Sequence, residues 1–346
     1  MKKIKKVKVK LPKINLPQID TSKSVQIPLV GVIVFCLLLA ASSFFAGLSW
    51  IKLKGGATSN NSVAKNTFAA VKNTKPEFDF FVMSFCPYGN QIETVIKPIA
   101  DLLKDKADIH PRYIFEKIAD LGSYCKQTSG DVTQCAAYVK SGYFATESEC
   151  QKTVNEYNKS CLDEKNYLKI GNAFYSSLHG RIEANQNVRE ICAFNMNEDK
   201  TNWWNFVSNV NTNCTSENAD TCWEEQAKKA GFDTNKITEC FNNQASDLIE
   251  KEIALTTQYK VTGSPTLIIN GVSFPPESAY TEAGDGTLKI GDKVIKQTDF
   301  RTSNAVKEAV CASFKKAPKE CKTEIKEATA DTGTNTATAN STASCN

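Results

Sequence analysis

Histidine is almost missing from this chain, with two residues, His110 and His179, in 346. None of the 13 cysteines stands three positions from another, so there is no C-x-x-C pair. Zinc sites draw on cysteine and histidine at close spacing, and these two absences argue against a metal. No cofactor is expected either, and no internal repeat is evident. The formal net charge of +4 is small, and the lysines at positions 2, 3, 5, 6, 8, 10, 13 and 23 supply all of it. Beyond residue 27 the chain is slightly acidic, so a nucleic-acid partner is not implied.

Charge is also missing from residues 27–51, IPLVGVIVFCLLLAASSFFAGLSWI. A helix needs roughly 20 apolar residues to cross a bilayer, and this run continues past the short apolar core of a cleaved secretory signal. It reads as an uncleaved transmembrane anchor, with Cys36 packed inside it. Lysines precede the span, with only Lys52 and Lys54 just after it. The positive-inside tendency therefore places 1–26 in the cytoplasm and the rest of the chain outside, as a single-pass membrane protein. Twelve of the 13 cysteines follow the span, a density suited to an oxidising compartment.

Residues 52–75 mix Gly, Ser, Asn and Lys without apolar period and read as a flexible linker. Residues 322–346, rich in Thr, Ala, Asn and Ser, read as a disordered tail. Between these limits, 77–84 (EFDFFVMS) has the aromatic content of a buried strand. The positions Ile92, Val95, Ile96, Ile99, Leu102 and Leu103 then form one face of a helix in which Pro98 predicts a kink. Residues 108–115 offer a second strand, and strand, helix, strand at this spacing predicts a parallel β-α-β unit. Residues from about 118 to 257 are polar, cysteine-rich and broken into short amphipathic stretches, which predicts a helical insertion. Trp203, Trp204 and Trp223 are read as its core. Hairpins follow around Asn270-Gly271 and Gly291-Asp292, and a helix over 303–314 closes the domain.

The stretch Ser84-Phe85-Cys86-Pro87-Tyr88-Gly89-Asn90 puts Cys86 between the first strand and the first turn of the helix. Unpaired N–H groups and the helix dipole there favour a negative sulfur, and such positions lower a thiol pKa into the range of roughly 3.5 to 7.5. Pro87 suits the first helical position, where its missing N–H is no loss. Thiolate is the attacking species in disulfide exchange, so Cys86 is the candidate nucleophile. The alternatives are a buried apolar residue or half of a structural bridge. Gly89 stands where a dithiol oxidoreductase has its second cysteine. A single thiol forms a mixed disulfide with a client but cannot release it from the next helical turn. Turnover then needs an outside thiol, a client thiol or a resolving cysteine elsewhere.

On these residues the chain resembles the thioredoxin superfamily, of the disulfide-bond-A type with a helical insertion. Within it, it is similar to the gamma-interferon-inducible lysosomal thiol reductase family. His179-Gly180-Arg181-Ile182-Glu183, then Asn187 and Cys192, looks like that family's His-Gly-x-x-Glu-x-x-x-Asn-x-x-x-x-Cys signature. Cys214, Cys222 and the segment ending at Cys240 are similar to its cysteine-bearing helices. The likeness spans about residues 77–321 and implies an α/β thioredoxin-like fold over 76–321 with a disulfide-rich helical insertion. It also implies that Ser264-Pro265, before the strand at 266, forms a cis turn facing Cys86 and binds the client.

The family signature has cysteines where this chain has Ser177 and Ala184. The remaining set, Cys125, Cys135, Cys150, Cys161, Cys192, Cys214, Cys222, Cys240, Cys311 and Cys321, is even and is expected to pair as five structural bridges. Which cysteine bonds which does not follow from spacing. The neighbours Cys222 with Cys240 and Cys311 with Cys321 are the expected pairs. Cys86 and the tail residue Cys345 are left without partners. Tyr88 is expected to shape the client surface. His179 either tunes the site, if the insertion folds over Cys86, or simply caps or packs.

Three functions remain open at this point. One is a membrane-anchored thiol–disulfide exchange protein acting on secreted or envelope proteins, with an external thiol or redox partner for turnover. Another is a redox-silent module that binds a peptide or partner in the same groove. The third is a scaffold whose Cys86 only makes a lasting mixed disulfide, through Cys345 or another protein.

Overall fold

The computed structural model describes residues 67–196, 199–280, 286–326 and Cys345. The expected cytoplasmic tail, the membrane anchor and most of the linker lie outside these residues, as do 327–344. Among the described residues no helix is long and apolar enough to cross a membrane.

Strand β1 (Glu77–Val82) is buried from Phe78 onward. It leads through Cys86 into helix α1 (Pro87–Leu103), which buries Ile92, Ile96, Ile99 and Leu103 and runs continuously through Pro98. Strand β2 (Asp108–Tyr113) returns parallel to β1, as a helical crossover requires. After the insertion, β1 pairs antiparallel with β6 (Thr266–Ile269), and β6 with β7 (Val272–Phe274). The resulting sheet has the order β2-β1-β6-β7. A two-stranded ribbon of β8 (Thr287–Ile290) and β9 (Lys293–Lys296) and the closing helix α9 (Ser303–Ala312) complete the body.

The insertion differs from the expected all-helical segment. Strands β3 (Glu116–Ile118), β4 (Leu168–Ile170) and β5 (Ala173–Ser176) form a small antiparallel sheet of order β3-β5-β4. Between β3 and β4 lie α2 (Leu121–Ser129), α3 (Cys135–Lys140) and α4 (Glu147–Cys161). Helices α5 (Arg181–Met196), α6 (Thr201–Asn213), α7 (Ala219–Lys229) and α8 (Thr234–Tyr259) follow β5. These helices join the central core. The Trp204 ring stacks on Phe80 of β1 at 5.9 Å, and Trp203 meets the same ring edge-on at 6.4 Å.

Two expectations at the edges of the domain are corrected. The linker does not stay free up to residue 75. Phe68 has an aromatic ring to bury and packs edge-on against Phe274 at 5.3 Å, while its N–H donates to the Lys289 carbonyl at 2.8 Å. Nor is the whole of 322–346 without contacts. Ile325 is buried, and Asn304 of α9 brackets it by accepting from its N–H at 2.9 Å and donating to its carbonyl at 2.7 Å.

Candidate active site

Cys86 is the N-cap of α1. Its sulfur accepts the Gly89 N–H at 3.4 Å, its own N–H donates to Met83 O at 3.0 Å, and Pro87 occupies the first helical turn. The side chain is completely buried. Opposite it, the Ser264-Pro265 bond is cis, and the Ser264 carbonyl oxygen lies 3.5 Å from the Cys86 sulfur. The amide side favours a thiolate and the carbonyl side favours a thiol.

Cys86 is not an unpaired thiol, as had been expected, but is bonded to Cys345, 259 positions away, with the Cα atoms 6.0 Å apart. Nor is Cys345 unpartnered along its backbone. Its carbonyl accepts the Ser264 N–H at 2.8 Å and its N–H donates to the Ser264 carbonyl at 2.7 Å, an isolated antiparallel bridge. The physical reason is that the Ser264 N–H and carbonyl, in the loop before β6 and beside the sulfur, need partners that the Cys345 backbone supplies. Beside Cys345 opens a groove of about 440 Å³, lined by Thr262 and Gly263 on one wall and Tyr124, Tyr167 and Leu178 of the insertion on the other.

The loop that carries Cys86 is held from the insertion. Glu183, Asn187 and Glu190 recur at helical spacing on α5, and all three are buried. Glu183 accepts the Phe85 N–H at 2.9 Å, the His179 N–H at 2.8 Å and the His179 ring nitrogen Nδ1 at 3.0 Å. Asn187 accepts from Ser84 N at 3.0 Å and from Ser84 Oγ at 2.6 Å. Glu190 receives Tyr113 OH at 2.7 Å, Gln186 Nε2 at 2.9 Å and Ser84 Oγ at 3.1 Å. His179 therefore reaches Cys86 only through Glu183 and the backbone of Phe85, so it is a positioning residue.

Burial works to raise the Glu183 pKa, but His179 and the two N–H donors outweigh it and hold the carboxyl below its ordinary range. The hydrogen bond to Glu183 raises the His179 pKa against an opposing effect of burial. Burial pushes Glu190 up to about 7 against the donors that surround it. On the underside of α1, burial and the charge of Glu190 raise Glu93 well above its ordinary value, although it accepts Asn211 Nδ2 at 2.6 Å.

The other cysteines form the bridges Cys125–Cys161, Cys135–Cys150, Cys192–Cys240, Cys214–Cys222 and Cys311–Cys321. The expected Cys222–Cys240 pair is corrected. Cys222 sits at the start of α7 beside the end of α6, whereas Cys240 on α8 faces Cys192 on α5. Ser177 donates to Ile114 O at 3.1 Å, and Ala184 is fully buried. Among possible metal ligands, Glu77, Asp79 and His110 fall within 4.8 Å of one another, but Asp79 is already committed to Arg112 Nε at 2.6 Å.

Residues 132–278 match the family model described as the vacuolar sorting receptor thioredoxin-like domain. The match takes in most of the insertion and the Ser264-Pro265 turn and stops short of Cys86. The fold is decided by the sheet order above, with β1 and β2 parallel around α1 and β6 and β7 antiparallel. The described body has a thioredoxin-like fold. No curated protein matches the chain. Among solved structures, the oxidised PaDsbA1 in a small-molecule complex is 16% identical, with 62% of this chain and 83% of that one covered, at a TM-score of 0.33. A Nitrosomonas europaea protein proposed to be a protein disulfide isomerase is 13% identical, with 68% and 96% covered, at 0.34. The oxidoreductase NmDsbA1 from N. meningitidis is 12% identical, with 62% and 85% covered, at 0.24. The thioredoxin-like fold rests on this chain's own strand connectivity.

Two of the site's working parts carried no role in the sequence reading, and a third, Cys345, entered it only as a possible partner in a lasting mixed disulfide. Glu183 and Asn187 were visible only as signature letters, although their four-residue step and the three-residue step on to Glu190 put three polar residues on one face of a helix. The partnership of Cys345 had no local signal at all.

Proposed function

We propose that this protein carries out thiol–disulfide exchange with protein clients, using Cys86 as the reacting sulfur and Ser264-Pro265 as the edge that holds the client backbone. One observation carries the reading. A peptide segment is paired reciprocally with Ser264 while its cysteine is bonded to Cys86, which is the posture an extended client needs for a mixed disulfide. Support also comes from the segment 179–192, similar to that of the gamma-interferon-inducible lysosomal thiol reductase family, whose Glu183 and Asn187 hold the Cys86 loop.

In this reading residues 27–51 anchor the chain in a bilayer, with 1–26 in the cytoplasm. The domain works in an oxidising extracytoplasmic compartment, where its structural bridges persist. Clients are secreted or envelope proteins with thiols or disulfides, and a small thiol or redox partner resets the site.

A second reading is favoured by the complete burial of Cys86 and its closed bond: a redox-silent module that binds a partner along the groove. Partial reduction of the native protein followed by alkylation at mildly acidic pH separates the two. Exchange requires Cys86 and Cys345 to open and label before the ten structural cysteines, and requires insulin reduction with glutathione that Cys86→Ser abolishes. A Cys86–Cys345 bond that resists reduction until the protein is denatured leaves the binding module.

A further inference from the structure

Position 89 is crowded against the cysteine that a dithiol site would place there. A Cβ on Gly89 would lie 2.7 Å from Ser264 Oγ, with Met83 O and Val82 Cβ each at 3.4 Å. Ser264 Oγ is itself held in place by the Met83 N–H at 3.2 Å. The serine hydroxyl thus lies against the Cβ that a second active-site cysteine would need, and with glycine at position 89 a resolving group must arrive from elsewhere.

Building on the exchange function proposed above, we infer that Cys345 is the resolving cysteine of Cys86, supplied by the C-terminal segment instead of by the next turn of α1. Two independent features place it there. Its sulfur is bonded to Cys86, and its backbone forms a reciprocal pair with Ser264, so both the reacting atom and its orientation are accounted for. Nineteen peptide steps separate Lys326 from Cys345, a contour of up to about 63–68 Å. A thiol held in the same chain as its target acts at an effective concentration on the order of millimolar, well above the exposure of a mixed disulfide to dilute solution thiols.

The exchange balances as follows. In the reduced protein the Cys86 thiolate attacks a client disulfide. The Cys86–client bond forms, the client disulfide breaks, and the client's other sulfur leaves as a thiolate that takes a proton from water. The Cys345 thiolate then attacks the Cys86 sulfur. The Cys86–Cys345 bond forms, the Cys86–client bond breaks, and the client departs as its second thiol. Two electrons pass from the cysteine pair to the client. Because Cys345 ends on the same Ser264 edge that a client uses, its arrival replaces the client's sulfur bond and its backbone pairing together. Two equivalents of a small thiol, oxidised to their disulfide, return the pair to the dithiol. Run in reverse, the same steps pass electrons from a client dithiol to the Cys86–Cys345 bond.

The test uses the full chain, partially reduced and freed of reductant, with a single-cysteine peptide activated as its thionitrobenzoate disulfide. Attack by Cys86 releases coloured thionitrobenzoate and leaves the peptide on the protein. In the wild type the peptide is then freed as a thiol, and non-reducing peptide mapping finds Cys86 joined to Cys345. Cys345→Ser, a change outside the buried core, is expected to release the same thionitrobenzoate from Cys86 but to keep the peptide bound at least about tenfold longer, until a millimolar thiol is added. The double change Gly89→Cys with Ser264→Gly, made in the Cys345→Ser background, makes room at position 89 and is expected to restore release. Peptide release from Cys345→Ser at the wild-type rate overturns the role of Cys345 and leaves the exchange function standing. Absence of any adduct at Cys86 in wild type and variant alike overturns both.

Discussion

Gly89 and Ser264 compete for one small space: the hydroxyl of Ser264 lies 2.7 Å from where a Cβ on Gly89 would be. This gives a case in which two effects have opposite signs. Helix propensity alone favours Ala over Gly by about 1 kcal/mol, whereas overpacking a filled site costs about 1–3 kcal/mol. The Met83 carbonyl and the Val82 side chain are further walls, so overpacking should win and Gly89→Ala should lower the unfolding free energy. Adding Ser264→Ala should recover part of the loss, with a coupling of about 0.5–3 kcal/mol. Urea unfolding of the four proteins measures it, and a Gly89→Ala chain as stable as the wild type would remove the steric argument.

The His179–Glu183 pair makes the Cys86 loop sensitive to pH. The His179 pKa is raised above its ordinary 6.5. Its contribution to stability is therefore complete below about 6.5 and is lost as pH rises through the folded-state value. Glu183 is lowered from 4.5, so its contribution is present above about 4.5 and is lost as pH falls through its own folded-state value. The pair is at full strength between those limits. His179→Ala should reduce stability near pH 6 and have a smaller effect near pH 9, with the wild-type and variant curves converging as pH rises. Parallel curves across that range would count against the pair.

The parts of the fold visible beforehand are those carried by local pattern. The aromatic run of β1, the spaced apolar positions of α1 and the Asn270-Gly271 turn each announce their structure within a few residues. What escaped depends on distant partners. Phe68 looks like part of a polar linker until the Phe274 ring covers it. The β3-β5-β4 sheet is built from segments of three or four residues, too short to show an alternation. The Cys192–Cys240 pair requires two long helices to lie side by side, and nothing in the spacing of either reveals it. The Cys86–Cys345 bond joins the first and last described cysteines and depends on a backbone edge that exists only once β6 is formed.

The bridges should differ in what they contribute. Restricting the unfolded chain is worth more for a longer loop: about 4 kcal/mol for a separation near that of Cys192–Cys240 and about 2.5 kcal/mol for one near that of Cys214–Cys222. The structure gives these separations as 48 and 8 residues. Each bridge has one buried cysteine, Cys192 or Cys214, and one partly buried, Cys240 or Cys222, so loop length is the main difference between them. Replacing Cys192 and Cys240 together by alanine should lower the urea midpoint more than replacing Cys214 and Cys222. The reverse order would show that native-state packing near Cys214, not loop closure, governs the effect.

Glu190 should make the folded protein less stable as pH rises toward neutrality. Its carboxyl is buried and pushed up to about 7 from 4.5, so between those values the native state holds a proton that the unfolded chain has lost. Stability therefore falls across that interval, and the loss is complete above about 7. Glu252, also raised to about 7 by burial, titrates in the same window, and comparing wild type with Glu190→Gln isolates the contribution of Glu190. Glutamine keeps an oxygen for Tyr113 OH and Ser84 Oγ. Its new N–H₂ can turn to Gln186 Oε1, which lacks a partner in the native site, once the Gln186 amide flips. The difference in unfolding free energy between Glu190→Gln and wild type should grow in favour of the variant from pH 5 to pH 8. A difference that stays constant over that range would mean that Glu190 does not change its protonation there.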